Sequence, residues 1–146
     1  MSMSPTLRDL YQRRILELNA RPQNFGPLPG HTHEGTIHNP LCGDVVTLRL
    51  RLDDGMIIEA RFEGNGCAVS RASASLLTLA LAGKSSAQAL ALAGSLQRFL
   101  SRGPEHAEVD PASLGELVSL EGVREVPARL RCATLPWEAL QAALGS

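Results

Sequence analysis

The sequence predicts an α+β fold, a small antiparallel sheet of about three strands with helices packed on one face. Three observations carry this. Two runs of alternating residues meet at Asp53-Asp54-Gly55. Segments with helical periodicity stand before and after those runs. The resulting order of helix, strands, then helices belongs to segregated α+β domains, not to alternating α/β units.

The first helix starts near Ser4-Pro5-Thr6, because proline suits a first helical turn. Leu7, Leu10, Tyr11, Ile15 and Leu18 then recur at helical spacing. Arg21 to Gly35 is rich in Pro and Gly and reads as an extended loop. Thr36 to His38 is a candidate edge strand. Val46, Leu48, Leu50 and Leu52 alternate with Thr47, Arg49 and Arg51. Beyond the Asp-Gly turn, Met56, Ile58, Ala60 and Phe62 alternate with Ile57, Glu59, Arg61 and Glu63. This pattern is a hairpin with one buried face. Ser70 to Ala82 is a helix ending at Gly83, a suitable C-terminal cap. Ser86 to Leu100 is a second, with Ala89, Leu92, Ala93, Leu96, Phe99 and Leu100 on its inner face. Pro111 to Leu120 is a short helix capped by Asp110. Arg129 to Leu144 is helical but must kink or restart at Pro136, with Thr134 as a candidate cap for the restart.

Composition narrows the function. The 146 residues suit a single domain over 1–146. Lys+Arg is 14 against Asp+Glu 15, a formal net charge of −1, so no basic excess exists to bind phosphates. With one Tyr, three Phe and one Trp there are few stacking platforms for bases. Nucleic acid is therefore excluded as a main partner. The most apolar stretch, Leu76 to Gly83, is far shorter than a membrane span of about 20 residues. The opening residues carry both charge signs and no apolar core, unlike a secretory signal. Three cysteines make no disulfide framework and suit a reducing compartment, the cytoplasm.

Those cysteines, Cys42, Cys67 and Cys132, form no CxxC pair. On spacing alone, buried core thiols, redox thiols and a shared metal site all remain open. Their placement adds more. Cys42 precedes the first hairpin strand and Cys67 follows the second, so both emerge at one edge of the sheet. The last helix would have to deliver Cys132. Gly43, Gly64 and Gly66 flank the first two and permit sharp turns and close approach. Asp44, two residues beyond Cys42, is a candidate fourth ligand. Three thiolates and a carboxylate are compatible with Zn²⁺, and thiolates also suit iron–sulfur clusters. Such a site carries net negative charge, which a neighbouring cation such as Arg131 would offset. His31, His33 and His38 form an H-x-H with a third histidine nearby, and read as a solvated loop. His106 reads as solvent-facing. Ser70, Ser73 and Ser75 read as capping and packing residues. Gly64-Asn65-Gly66 lacks the lysine of a phosphate-binding loop.

NPLCGD (39–44), FEGNGCAVSRASAS (62–75), GK (83–84) and VPARLRCATLPWEAL (126–140) resemble the signature blocks of the U-type iron–sulfur cluster assembly proteins, the IscU/NifU-N family. The opening LYQRRIL and RPQNFG also resemble that family's first helix and loop. The closer likeness is to its SufU branch. Arg131 stands where the IscU branch usually has histidine, VPARLR replaces its LPPVK motif, and the stretch from Lys84 to Cys132 resembles the SufU insertion. The resemblance implies one metal centre held by Cys42, Asp44, Cys67 and Cys132. It further implies a zinc protein that accepts persulfide sulfur from a SufS-like cysteine desulfurase on Cys42, with Arg131 beside the anionic sulfur. Delivery would then be to a downstream Suf-type scaffold or to apo iron–sulfur proteins. Two alternatives stand beside it: a scaffold that assembles and transfers a [2Fe–2S] cluster, and a structural zinc module without chemistry.

Overall fold

The computed structural model describes residues 7–40, 43–102, 117, 120 and 127–145. Helix α1 (Leu7–Ala20) leads into a loop and then strand β1 (His33–Asn39). Strands β2 (Asp44–Asp53) and β3 (Met56–Asn65) follow, then helices α2 (Ala68–Leu81), α3 (Ser86–Arg102) and α4 (Pro127–Ala143). The sheet is antiparallel throughout, in the order β1-β2-β3. Helix α4 crosses β1 and β2, and α2 packs on β3 and α4, so the helices share one face of the sheet. The expected α+β architecture is the one observed.

The turn between β2 and β3 has both central residues in the left-handed region, Asp54 at φ 53° and Gly55 at φ 79°. That is the turn whose twist matches a hairpin, and Asp-Gly is a favoured pair for it. Val46, Leu48 and Leu50 face the helices as the alternation predicts. On β3 the prediction fails at the tip. Leu50 pairs with Ala60 and Arg51 with Glu59, but Leu52 pairs with Ile57. Ile58 is therefore the surplus residue of a β-bulge, which reverses the alternation beyond it. Ile57 is fully buried, whereas Met56 and Ile58 are exposed. The bulged end is also tied to the chain after α2: Ile57 N–H donates to the Lys84 carbonyl, and Gly83 N–H to that of Ile57.

The edge strand is longer than Thr36–His38, and the Pro/Gly loop correspondingly shorter. The reason is a close approach. A Cβ at Gly35 would stand 2.2 Å from the Ala139 carbonyl oxygen and 2.6 Å from the Ala143 nitrogen. Only glycine lets the α4 backbone rest on β1 there. Helix α2 begins two residues earlier than predicted, with Cys67 as its N-cap, and stops before Gly83 at φ +81°.

The core joins Leu48, Leu50, Ile57 and Phe62 of the sheet to Leu77, Leu81, Leu96, Phe99, Trp137 and Leu140 of the helices. Ile15 and Leu18 add the inner face of α1. The proposed helix at Pro111–Leu120 lies outside the described residues, except for Leu117 and Leu120, which are both buried. The start of α1 at Pro5 and the position of His106 also lie outside them.

Helix α4 does not restart at Pro136. It runs unbroken through the proline. Proline withholds the N–H that would serve the Cys132 carbonyl, but side chains hold the neighbouring turn. The Thr134 hydroxyl turns back to the Arg131 carbonyl at 3.2 Å instead of capping a new helix. From α2, the Ser73 hydroxyl donates to the Ala133 carbonyl at 2.5 Å, and Trp137 Nε1–H donates to Ser73 Oγ at 3.2 Å.

Candidate metal centre

Asp44 is the first residue of β2, and β2 begins beside the exit of β3, with Val45 opposite Asn65. Two residues past Asn65, Cys67 opens α2. Helix α4, pinned on α2 through Ser73 and Trp137, carries Cys132 to the same corner. The carboxylate of Asp44 and the sulfurs of Cys67 and Cys132 thus gather within 4.8 Å of one another. Among the described residues this is the one such group. Asp44 and Cys132 are buried and Cys67 is half-buried, so the cluster lies just below the surface. Cys42 lies outside the described residues. Its neighbour Asp44 sits at this corner, and Gly43 N–H donates to the Asn39 carbonyl.

Two glycines make the corner possible. Gly64 has φ +142°, and a Cβ there would lie 2.0 Å from the Val45 carbonyl oxygen. A Cβ on Gly66 would stand 2.8 Å from Ser70 Oγ. Ser70 donates to Asp44 Oδ2 at 2.6 Å, and its oxygen lies 3.6 Å from the Cys67 sulfur. In the sequence Ser70 reads as a capping and packing residue. Its position one helical turn beyond Cys67 was the available signal, since residues three apart share a helix face.

The two thiols are driven apart. Burial pushes the Cys132 thiol well up, and the neighbouring charges of Cys67 and Asp44 push it further. Burial also acts to raise Cys67, yet its thiol is lowered overall. The first-turn N–H groups of Ser70 and Val69 and the Cys132 S–H favour its thiolate. The α2 N–H groups act through their field, because none closes a capping hydrogen bond on the sulfur. Of the two, Cys132 holds its proton more tightly and Cys67 gives its proton up more readily. Two sulfurs and a carboxylate in one cluster suit a tetrahedral divalent cation with mixed donors, so the residues fit a zinc ion.

Arg131 is not in the cluster. Its exposed guanidinium pairs with Glu138 Oε2 at 3.1 Å. It borders a groove of about 470 Å³ between α3 and α4, with Gln97, Leu100 and Leu130. Neither do the histidines gather. His31 faces Glu34 at 3.5 Å and His33 bonds Thr32, while His38 is exposed. Ser75 accepts from the Gln23 N–H and so anchors the Pro/Gly loop. Arg71 stacks over Phe25, 5.4 Å from the ring centre.

Comparison with known proteins follows the same lines. The profile of the NifU-like N-terminal domain matches residues 10–133. The zinc-dependent sulfurtransferase SufU of Bacillus subtilis is 38% identical over 141 residues, covering 97% of this chain and 93% of that protein. The iron–sulfur cluster assembly scaffold protein IscU of Streptococcus pyogenes is 38% identical over 138 residues, covering 94% and 84%. A crystal structure from Fervidobacterium islandicum, assigned to a cluster assembly scaffold of the SUF system, superposes with a TM-score of 0.84 at 29% identity. It covers 92% of this chain and 96% of that one. The profile match, the identity over most of the chain and the shared fold agree: the chain belongs to the NifU-like N-terminal domain family.

Proposed function

We propose that this chain serves iron–sulfur cluster assembly as a zinc-dependent sulfur carrier, taking persulfide sulfur from a SufS-like cysteine desulfurase in the cytoplasm. The observation that carries this reading is the Asp44–Cys67–Cys132 cluster just below the surface. Cys42 would complete the ligand set. Bound zinc would keep the coordinating thiols deprotonated near neutral pH. Cys67 and Cys132, on two packed helices, provide the fixed part of the site. Cys42, just ahead of β2 in the sequence, is the thiolate that attacks the outer sulfur of the desulfurase persulfide. The sulfur–sulfur bond of the donor breaks as the new one forms on Cys42. The desulfurase cysteine leaves as a thiolate, so the exchange needs no external oxidant. The acceptors of this sulfur would be a downstream Suf-type scaffold or apo iron–sulfur proteins. The near-neutral charge of the chain fits recognition by protein partners.

Desulfurase turnover measured with and without the zinc-loaded chain tests the proposal. Stimulation of several-fold or more is expected. A desulfurase indifferent to the chain would return the cluster to a structural zinc module. A second reading, a scaffold with a [2Fe–2S] cluster as cargo, is favoured by the likeness to IscU proteins. Anaerobic reconstitution giving a coloured cluster that transfers to an apo-protein would support it over sulfur transfer.

Zinc uptake should also depend on pH in a direction set by Cys132. Its thiol is raised, so the metal-free protein holds that proton at neutral pH and must release it on binding. Apparent zinc affinity, measured by chelator competition, should therefore rise at least about tenfold per pH unit around neutrality. A flat profile would place a deprotonated Cys132 in the metal-free protein.

A further inference from the structure

We propose that Ser70 is a positioning residue that fixes the Asp44 carboxylate relative to the two sulfurs. This rests on the reading of Asp44, Cys67 and Cys132 as metal ligands. Three observations support it. The 2.6 Å contact from the Ser70 hydroxyl to Asp44 Oδ2 is the length of a charge-assisted bond to an ionised carboxylate. Ser70 is 1% exposed, so water does not compete for that proton. And space is kept open for the pair, because a Cβ on Gly66 would approach Ser70 Oγ to 2.8 Å and Asp44 Cγ to 3.5 Å.

A hydroxyl has one proton. Here it goes to Asp44, and the same oxygen lies 3.6 Å from the Cys67 sulfur. One side chain therefore touches two of the three gathered groups. Committing Oδ2 to the hydroxyl sets the rotation of the carboxylate, and with it the direction from which Asp44 reaches a metal. Cys67 and Cys132 are aimed by their helices. Asp44 stands at a strand end beside a glycine turn, and Ser70 on α2 ties it to the same rigid element that opens with Cys67. Partners of this kind, behind a ligand, orient it and raise affinity.

The test is a double-mutant cycle on the full chain. Ser70→Ala should weaken Zn²⁺ binding, read by chelator competition, by about 10–100-fold. It should also shift the visible ligand-field bands of the Co²⁺-loaded protein. In an Asp44→Ala background the same substitution should change neither, because nothing remains to be positioned. Gly66→Ala, which pushes on Ser70 without removing it, should shift the Co²⁺ bands in the same sense. Equal losses from Ser70→Ala in both backgrounds would reduce Ser70 to general packing. So would unchanged affinity and spectrum in the wild-type background. Failure of the wild type to bind Zn²⁺ or Co²⁺ would instead remove the metal reading itself.

Discussion

Cys42→Ala is expected to reduce sulfur uptake from a cysteine desulfurase to the level seen without the protein, while zinc binding weakens but the fold persists. In the proposed sulfur-carrier function the reason is a division of labour among the cysteines. Cys132 is 3% exposed and belongs to the hydrophobic core. Cys67 caps α2 and is half-buried. Sulfur transfer needs an in-line approach of a protein-bound persulfide to the accepting sulfur, and a core thiol offers no such approach. Cys42 precedes β2 in sequence and belongs to neither helix, so the alanine variant removes a thiol without touching the α2–α4 contact that carries the other two. Mass spectrometry of the chain after incubation with desulfurase and cysteine should find added sulfur on the wild type and none on the variant. Persulfide formation undiminished in Cys42→Ala would move the acceptor role to Cys67. Cys67→Ala and Cys132→Ala should differ in kind, losing tight zinc binding first and sulfur uptake as a consequence.

What could be read from the sequence follows physical lines. The hairpin was legible because alternation around Asp54-Gly55 is a local signal. Its bulge was not: Met56, Ile57 and Ile58 are all apolar, so either phase of alternation fits them. Only the tether of Ile57 to Gly83 and Lys84 decides which one is buried. The hairpin by itself puts Cys42 and Cys67 at one edge of the sheet; Cys42 lies outside the described residues, and its neighbour Asp44 stands there with Cys67. The hairpin does not place Cys132, because a helix far along the chain must deliver it, and its place there rested on family resemblance. Arg131 stands apart from the cluster. Neighbours in sequence point about 100° apart on a helix, so the residue beside a buried cysteine faces solvent and pairs with Glu138. The break at Pro136 was the local expectation, and contacts from α2 overrode it. Ser73 could be seen in the sequence but its partners, Ala133 and Trp137, could not.

Those partners set the second large effect. Trp137→Ala should destabilise the protein by about 3–5 kcal/mol, the usual cost of emptying a fully buried aromatic site. It should also loosen the metal centre. Trp137 is fully buried, and its Nε1–H donates to the Ser73 hydroxyl that in turn holds the Ala133 carbonyl. Ala133 adjoins Cys132, in the one turn of α4 where Pro136 withholds a backbone donor. The helix there depends on α2 for its alignment, so a cavity behind Trp137 removes the support of Cys132 rather than of a remote segment. Trp137→Phe separates the two contributions. It keeps most of the volume but loses the N–H and part of the indole, at a cost of about 1–3 kcal/mol. Chemical denaturation gives the stabilities, and chelator competition on protein still folded gives the zinc affinities. The expected order for both is wild type, then Phe, then Ala. Full zinc affinity in a folded but strongly destabilised Trp137→Ala protein would show that Cys132 is held by its own turn alone, without the support of α2.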